Sequence, residues 1–289
     1  MNVSLIVNPA AGGGRAGRAL ADVQAELARR GIGHHVETTR SLDHARQLAG
    51  AAITAGETAV AFGGDGLIGA VAGALKHSDG VLGVLPGGRG NDFARVLGIP
   101  LEPKAACSVL ATGTVRELDL GVVDSKTFIS IASCGFDSDA NRIANETRLI
   151  RGNLVYTYGA LRALAGWRPA RFEVSVDDET RAMVGYTVAA ANSGAYGGGM
   201  MLAPDASLED GALDVVLVGH IPKLSFLRLL PTVFKGEHVR QREVQVLRGT
   251  EVRIEADRPF TMYADGDPIA DLPATVRVIP RAVRVIVPG

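Results

Sequence analysis

The sequence predicts an N-terminal α/β domain with a parallel sheet, followed by a C-terminal domain of antiparallel β-sandwich type. Four strand–loop–helix units, which are typical of a parallel sheet covered by helices, occupy residues 2–32, 34–55, 58–75 and 81–98. From Thr127 onwards, polar and apolar residues alternate in short runs, which is typical of half-buried antiparallel strands. With 289 residues, 47% of them hydrophobic, the chain is long enough to form two cores.

The composition argues against several classes of protein. The net charge of −1 disfavours a nucleic-acid-binding protein, whose binding face would be basic. Cys107 and Cys134 are the only cysteines, so we expect no disulfide framework and a reducing compartment. The chain opens on a strand rather than a charged leader, and no uncharged run approaches the roughly 18 residues of a membrane-spanning helix. We therefore expect a cytoplasmic protein.

The first unit contains a glycine-rich loop that matches two nucleotide-binding patterns. The spacing within Gly12–Gly17 matches the dinucleotide fingerprint, and Glu37 stands where a ribose-binding acid would follow. The same spacing occurs in P-loops, but Arg18 and Ala19 replace the lysine and the hydroxyl that a P-loop needs. A dinucleotide-dependent oxidoreductase is therefore kept as a weaker alternative.

The third and fourth units each place an aspartate in a glycine loop after a buried strand. The third passes through Gly63–Gly66 (GGDG) into a helix over 67–75, and the fourth passes through 87–93 (GGRGNDF). Glycines let phosphate oxygens reach backbone N–H groups that a larger side chain would cover. Because the carboxyl ends of parallel strands meet at one edge of a sheet, both loops are expected to open on one crevice.

Asp65, within GGDG, admits two interpretations. A carboxylate beside bound phosphates is repelled unless a cation bridges them or the carboxylate handles a proton. Asp65 could instead simply cap the following helix. Two acid-bearing glycine loops at one sheet edge are hard to explain by capping alone, which favours a phosphate-binding crevice.

Three helices are predicted within the β-rich half, over 139–146, 154–165 and 223–234. The last lies in KLSFLRLLPTVFK, which combines seven large apolar side chains with basic residues. It could lie at a membrane interface, with its basic side chains toward anionic lipid. It could equally cover the core of the β-rich domain, and this second interpretation is favoured.

Several blocks resemble the diacylglycerol kinase catalytic-domain family, which includes bacterial soluble lipid kinases and is similar to sphingosine kinases and, more distantly, to NAD kinases. In chain order they are Asn8-Pro9, Gly63–Gly66, Leu85–Arg95 (LPGGRGNDFAR), Ala191–Met200, Ala203–Asp205, Asp210–Asp214 (DGALD) and Ala264–Asp267 (ADGD). The resemblance implies a three-layer α/β nucleotide-binding domain over 1–120, a lipid-substrate domain over 121–282, and a last strand, 283–289, that returns to the first domain.

The resemblance implies an ATP-dependent lipid kinase that phosphorylates a hydroxyl of diacylglycerol or a related lipid, with Mg²⁺ assisting an in-line transfer. The expected partners are ATP and a lipid at the membrane surface. A peripheral position at the inner face of the membrane and a homodimer are both compatible with this activity.

Individual roles follow from the same resemblance. The catalytic residues would be Asp65, Asp92, Asp265 and Asp267, with Asp267 preferred over Asp265 as the base. The nucleotide-binding positions would be Asn8, Thr39, Gly63, Gly64, Gly66, Leu67, Gly88, Arg89 and Asn91. A second, structural Mg²⁺ would be held by the Asp210 carboxylate together with the carbonyls of Ser207 and Ala212. The alternative for Asp265-Gly266-Asp267 is an ordinary type I′ hairpin turn.

The chain departs from the family pattern near the nucleotide. Leu67 and Arg89 stand where the family has threonines, and Ala70 stands where it usually has a glutamate. Arg89 could supply a charged phosphate contact, and Leu67 could still offer its backbone N–H. Two alternatives therefore stay open: a kinase of a soluble hydroxyl, as in NAD kinases, and a nucleotide- or lipid-binding relative without catalysis.

Overall fold

The computed structural model describes residues 1–147 and 154–289, and its first half confirms the predicted α/β domain. The strands are β1 (Asn2–Val7), β2 (Gly33–Thr38), β3 (Thr58–Gly63) and β4 (Val81–Pro86). The helices are α1 (Ala11–Arg29), α2 (Leu42–Thr54), α3 (Asp65–Leu75), α4 (Asp92–Val96) and α5 (Pro103–Thr112). The strands pair in parallel in the order β2-β1-β3-β4, which brings their carboxyl ends to one edge.

The glycine-rich loop after β1 is used for a close approach between loops. Gly12, Gly13 and Gly14 all have positive φ, and α1 has helical geometry only from Arg15 onwards. A Cβ atom on Gly12 would lie 2.5 Å from the Gly87 carbonyl oxygen. The loop therefore packs on the segment that follows β4, which a residue with a side chain could not do.

The second half is mostly antiparallel, as predicted. Its strands are β5 (Thr114–Val123), β6 (Lys126–Phe128), β7 (Ile131–Gly135), β8 (Ala170–Val176), β9 (Glu179–Ala191), β10 (Leu213–Gly219), β11 (Val244–Gly249), β12 (Glu251–Ala256), β13 (Thr261–Ala264), β14 (Asp267–Asp271) and β15 (Ala274–Val287). Its helices are α6 (Phe136–Glu146), α7 (Leu154–Gly166) and α8 (Lys223–Val233), with a short 3₁₀ helix at Glu237–Arg240. All three predicted helices are present, although α6 begins three residues earlier than expected.

The long strand β15 connects the parallel strands with the antiparallel strands in one continuous sheet. Its first part pairs with β12, and its last part pairs in parallel with β4, where Arg284 lies opposite Val81. β5 runs antiparallel along nearly all of β15. Because β5 and β15 both run along the parallel and the antiparallel part of this sheet, the limits 1–120 and 121–282 remain a prediction.

Two hydrophobic cores form, one on the parallel sheet and one within the β-rich half. Cys107 is buried in the first core and Cys134 in the second, both as free thiols. No helix in the described ranges is long and apolar enough to cross a bilayer.

Candidate active site

The two acid-bearing glycine loops lie in contact with each other, as predicted from their positions after neighbouring parallel strands. The Gly87 N–H donates a hydrogen bond to the Gly63 carbonyl at 2.7 Å. A Cβ atom on Gly88 would lie 2.5 Å from the Gly64 Cα, so only glycine permits this approach. The loops after β3 and β4 therefore form one continuous surface.

Asp65 connects these two loops instead of capping its own helix. Gly64 is the N-cap residue of α3, and no side chain caps that end. The Asp65 carboxylate accepts a hydrogen bond from the Phe93 N–H at 3.1 Å, which ties it to the start of α4. Burial and the nearby charge of Asp92 raise the pKa of Asp65. Capping of α3 is therefore the wrong interpretation of this residue.

Asp92 lies beside Asp65 with one carboxylate oxygen unused. Its Oδ2 accepts a hydrogen bond from the Gly198 N–H at 2.8 Å, while its buried Oδ1 has no partner among the described residues. A Cβ atom on Gly90 would be 2.9 Å from Asp92 Oδ2 and 3.4 Å from Asp65 Oδ2. The two carboxylates thus converge on one point above Gly90, and burial raises the pKa of Asp92.

This pair of carboxylates fits the Mg²⁺ that the resemblance implies. Within residues 1–147 and 154–289, no three His, Cys, Asp or Glu side chains form a metal cluster. Mg²⁺, however, is commonly held by one or two carboxylates, with phosphate oxygens and water completing its shell. The orphaned Oδ1 of Asp92 and the adjacent Asp65 supply such a partial donor set.

Asp265 lies in a tight turn and is also part of the site. The turn between β13 and β14 has φ values of 52° at Asp265 and 92° at Gly266, which is the type I′ hairpin of the alternative interpretation. The Asp265 carboxylate nevertheless points inward and accepts hydrogen bonds from the N–H groups of Ile129 at 2.8 Å and Ser130 at 2.9 Å. Burial, assisted by the charge of Asp65, raises the pKa of Asp265 to about 7.

Asp267, on the far side of the turn, is exposed. Its Oδ2 would lie 3.2 Å from a Cβ atom on Gly66, and Asp265 Oδ2 would lie 3.4 Å from one on Gly69. Glycines on α3 therefore make room for both carboxylates. Asp265 lines the central cavity and Asp267 does not, but partial burial of its carboxyl group raises the pKa of Asp267 as well. Which of the two acids acts as the base stays a prediction.

The carboxylates enclose a small cavity of about 110 Å³ between the two halves of the chain. Asp65, Asp92 and Asp265 line it from three separate elements. Arg89 stands at its rim with an exposed side chain, and it makes no hydrogen bond or ion pair within the described ranges. The cavity therefore combines three acids with one arginine that is free to meet an anion.

Asn91 braces the loop after β4 from inside. Its Oδ1 accepts a hydrogen bond from the Gly88 N–H at 2.8 Å, and its Nδ2 donates one to the Gly88 carbonyl at 3.2 Å. The residue is buried and has a φ of 53°. Its amide is thus already engaged in shaping the loop, and a direct contact with a nucleotide stays a prediction.

The backbone N–H of Leu67, expected to donate to a nucleotide, is already used within the protein. Its N–H donates to the Gly64 carbonyl at 3.0 Å, within the first turn of α3. Its side chain is buried against Gly63. The predicted backbone contact from Leu67 to a nucleotide is therefore not available in this conformation.

Asn8 and Thr39 follow β1 and β2 at the same sheet edge, but neither lines the cavity. The Asn8 side chain accepts a hydrogen bond from the Ala10 N–H at 3.1 Å, and the Thr39 hydroxyl donates one to the Ser41 carbonyl at 2.7 Å. Their roles toward a nucleotide stay predictions.

The predicted second Mg²⁺ site stays a prediction. The Asp210 carboxylate is ion-paired with the Arg248 guanidinium and accepts a hydrogen bond from the Ala212 N–H at 3.1 Å. The Ser207 hydroxyl accepts a hydrogen bond from the Glu209 N–H at 3.3 Å. Arg248 therefore balances the charge of Asp210 in this structure, and a cation held by Asp210 with the carbonyls of Ser207 and Ala212 would have to displace that ion pair.

Sequence reasoning missed a buried acid that holds this loop in place. Asp119, which is 1% exposed, accepts hydrogen bonds from the N–H groups of Gly211 at 2.7 Å and Arg281 at 2.8 Å. The sequence does contain an indication of this buried acid, since Asp119 stands between two leucines in the segment ELDLG of β5. Such an acid must be paired once buried.

A second, larger cavity lies beside the acidic one; an apolar pocket for a lipid was expected in the second domain, but its lining was not predicted. It measures about 440 Å³ and has mainly apolar walls from α6, α7, β10 and α8. Asn141, Tyr196, Gly197 and Gly198 line both this cavity and the acidic one. A chain of apolar groups can therefore lie in one cavity while its polar end reaches the other.

Comparison with known proteins identifies the family. The family model of the diacylglycerol kinase catalytic domain matches residues 2–123, and that of the YegS C-terminal NAD kinase beta sandwich-like domain matches residues 130–287. The chain belongs to the diacylglycerol kinase family. It is similar to the diacylglycerol kinase of Mycobacterium tuberculosis (strain ATCC 25618 / H37Rv), with 36% identity over 99% of this chain and 95% of the relative.

Other family members agree over most of the chain. The diacylglycerol kinase of Bacillus subtilis (strain 168) is 30% identical over 87% of this chain and 84% of its own length. A crystal structure of a diacylglycerol kinase from Bacillus anthracis str. Sterne superposes with a TM-score of 0.76, covering 99% of this chain and 96% of that one. Its sequence identity is 19%, so this likeness supports the fold alone.

Proposed function

We propose that this member of the diacylglycerol kinase family transfers the terminal phosphoryl group of ATP to a hydroxyl of diacylglycerol or a related lipid. The observation that carries the proposal is the shared wall between the acidic cavity and the apolar cavity. A lipid with its chains in the apolar cavity can present its hydroxyl to the three carboxylates. A soluble acceptor would have no use for the apolar walls.

The site residues divide the work of the transfer. The paired glycine loops and Arg89 hold the phosphates, because their N–H groups and guanidinium are donors for anionic oxygens. Asp65 and Asp92 would hold Mg²⁺, which supplies positive charge beside the phosphate oxygens when bound. Asp265, whose pKa of about 7 suits a general base near neutral pH, takes the proton of the lipid hydroxyl.

Transfer from labelled ATP tests this function directly. The protein is incubated with labelled ATP and a panel of lipids in mixed micelles, with NAD as a soluble acceptor in parallel. Label in a lipid supports the proposal. Label in NAD alone would favour the soluble-acceptor alternative, and ATP or lipid binding with no transfer would favour the non-catalytic one motivated by Leu67, Ala70 and Arg89.

The surface around the apolar cavity suits contact with a bilayer. Phe226 and Val233 of α8 are buried in the second core, as the favoured interpretation of this helix expected, but Leu224 is 61% exposed and Phe234 57% exposed. Leu161 of α7, 52% exposed, lines the cavity together with Phe234. We infer that this apolar rim inserts into the membrane surface from which the substrate is taken.

Replacing both Leu224 and Phe234 with serine should weaken binding to phosphatidylglycerol vesicles at least about tenfold, because each buried side chain of this size contributes roughly 1.5–3 kcal/mol. Vesicle co-sedimentation measures the change. Val115→Ser, at a residue of β5 that is 47% exposed, is the matched control. Equal binding by the double variant and the control would place the membrane contact elsewhere.

Arg89→Ala should weaken ATP binding by about one to two powers of ten, because a charged hydrogen bond contributes roughly 1.5–3 kcal/mol. Lipid affinity should hardly change, and Arg89→Thr should recover part of the loss. Calorimetric titration of ATP measures the affinities, with Arg46→Ala on the exposed side of α2 as a control. An unchanged ATP affinity for Arg89→Ala would show that Arg89 does not bind the nucleotide.

A further inference from the structure

The acidic and the apolar cavity meet at a junction that Asn141, Tyr196, Gly197 and Gly198 line from both sides. When the reacting hydroxyl of a lipid lies beside the carboxylates and its chains lie in the apolar cavity, the part of the lipid between them passes these residues. In a diacylglycerol that part carries the ester groups, whose carbonyl oxygens only accept hydrogen bonds. The junction therefore faces the ester linkages of such a substrate.

Tyr196 and Asn141 each bring an unused side-chain donor to this junction. Both residues are half-buried, and neither side chain makes a hydrogen bond within the described part of the chain. Burial, assisted by the charges of Asp137, on the wall of the apolar cavity, and of Asp92, raises the pKa of Tyr196. The phenol therefore keeps its proton and remains a donor. Such donors are stabilised when a ligand supplies the acceptor.

The loop that carries Tyr196 is fixed to the acidic end of the site. Tyr196 and Met200 exchange two backbone hydrogen bonds of 2.9 Å across three glycines, all with positive φ. Within this loop, the Gly198 N–H donates a hydrogen bond to Asp92 Oδ2 at 2.8 Å. Asn141 belongs to a different element, the helix α6 that begins directly after β7. The two donors are therefore presented by separate supports, and the loop of Tyr196 is tied to a carboxylate of the reaction site.

We propose that Tyr196 and Asn141 together recognise the ester carbonyl next to the hydroxyl that is phosphorylated. Their donors pair with this carbonyl oxygen while the acyl chain continues into the apolar cavity. An ether at the same position lacks the carbonyl oxygen, and it leaves both donors without a strong acceptor. This inference rests on the proposed function, and it makes lipids with an ester beside the reacting hydroxyl the preferred substrates.

Two isomeric lipids isolate this contact. In 1-O-octyl-2-octanoylglycerol the ester stands beside the free hydroxyl, whereas in 1-octanoyl-2-O-octylglycerol an ether stands there. Because the isomers have the same atoms and the same chain lengths, the apolar surface that they bury is matched. For the wild-type protein, kcat/KM should favour the first isomer by about 5- to 100-fold, the range of two uncharged hydrogen bonds.

Variants without the two donors test which residues recognise the ester. Tyr196→Phe and Asn141→Leu each remove one donor, and each should lower the preference about twofold to tenfold. The double variant should use the two isomers almost equally. Tyr158→Phe is the matched control, at an exposed tyrosine of α7 that lines neither cavity, and it should keep the wild-type ratio.

The readout is a ratio of two substrates, so a general loss of activity cancels, and thermal unfolding confirms that each variant is folded. Equal use of the isomers by the wild type, or a preference for the second isomer, would overturn the inference. An unchanged ratio in the double variant would overturn it as well. Phosphorylation of neither isomer nor of any other lipid would instead refute the proposed function.

Discussion

Asp65→Asn should abolish turnover while the protein stays folded. The asparagine keeps an oxygen that can accept the Phe93 N–H, so the contact between α3 and α4 survives. The variant loses the negative charge that stands beside Asp92 at the phosphate end of the cavity. We expect kcat to fall by about 10²- to 10³-fold, as for removal of one preorganised electrostatic group. Steady-state transfer of label to lipid measures this change.

Asp43→Asn is the matched control for this variant. Asp43 stands in the first turn of α2 as Asp65 does in α3, but it is exposed and remote from the cavity. It should keep the wild-type rate, and both variants should unfold within about 1 kcal/mol of the wild type. Retention of more than a tenth of the activity by Asp65→Asn would rule out a catalytic role.

Asp265→Asn should remove the general base, with a loss of about 10²- to 10⁴-fold in kcat. The sign of the pH dependence follows from the pKa of about 7. Below that pH the carboxyl group is protonated and cannot accept the proton of the lipid hydroxyl, so wild-type kcat should fall as the pH drops through about 7. The variant should lack this acid limb in whatever activity remains.

The two acids of the hairpin can be separated by comparing their amide variants. Asp265→Asn also disturbs one of the two backbone hydrogen bonds at Ile129 and Ser130, so ATP affinity and thermal unfolding should be measured beside the rate. Asp267→Asn, at an exposed position, should lose much less activity. A larger loss in Asp267→Asn than in Asp265→Asn would return the role of base to Asp267.

The sheet edge and its acid-bearing loops could be predicted because they depend on local sequence. A buried strand, a glycine turn and a helix recur in order, and parallel pairing then brings Asp65 and Asp92 to one edge. The type I′ turn at Asp265 and Gly266 was among the sequence predictions. The inward direction of the Asp265 carboxylate could not be predicted, because it depends on contacts with Ile129 and Ser130, which are distant in sequence. The preference for Asp267 over Asp265 as the base therefore stays a prediction, which the two amide variants test.

Features that depend on the pairing of strands distant in sequence could not be predicted. Arg248 reaches Asp210 because β10 and β11 pair with Asp214 opposite Arg248, and no local pattern specifies that pairing. The apolar cavity is formed by α6, α7, β10 and α8, whose side chains read in sequence like ordinary core residues. Asp137 was missed for the same reason, since a single acid after a strand carries no sign of the cavity it will face.

The most direct test of lipid phosphorylation is the dependence of transfer on acyl chain length. Soluble diacylglycerols from dibutyryl to dioctanoyl are compared below their aggregation limits, with labelled ATP in excess. If the chains enter the apolar cavity, kcat/KM should rise about threefold to fourfold for each buried methylene until the cavity is full. The reason is that burial of one methylene group contributes about 0.8 kcal/mol of binding free energy. Ala140→Phe, which fills the cavity wall, should flatten this rise without changing ATP affinity. A rate independent of chain length in the wild type, with label passing to a soluble acceptor instead, would contradict a lipid kinase.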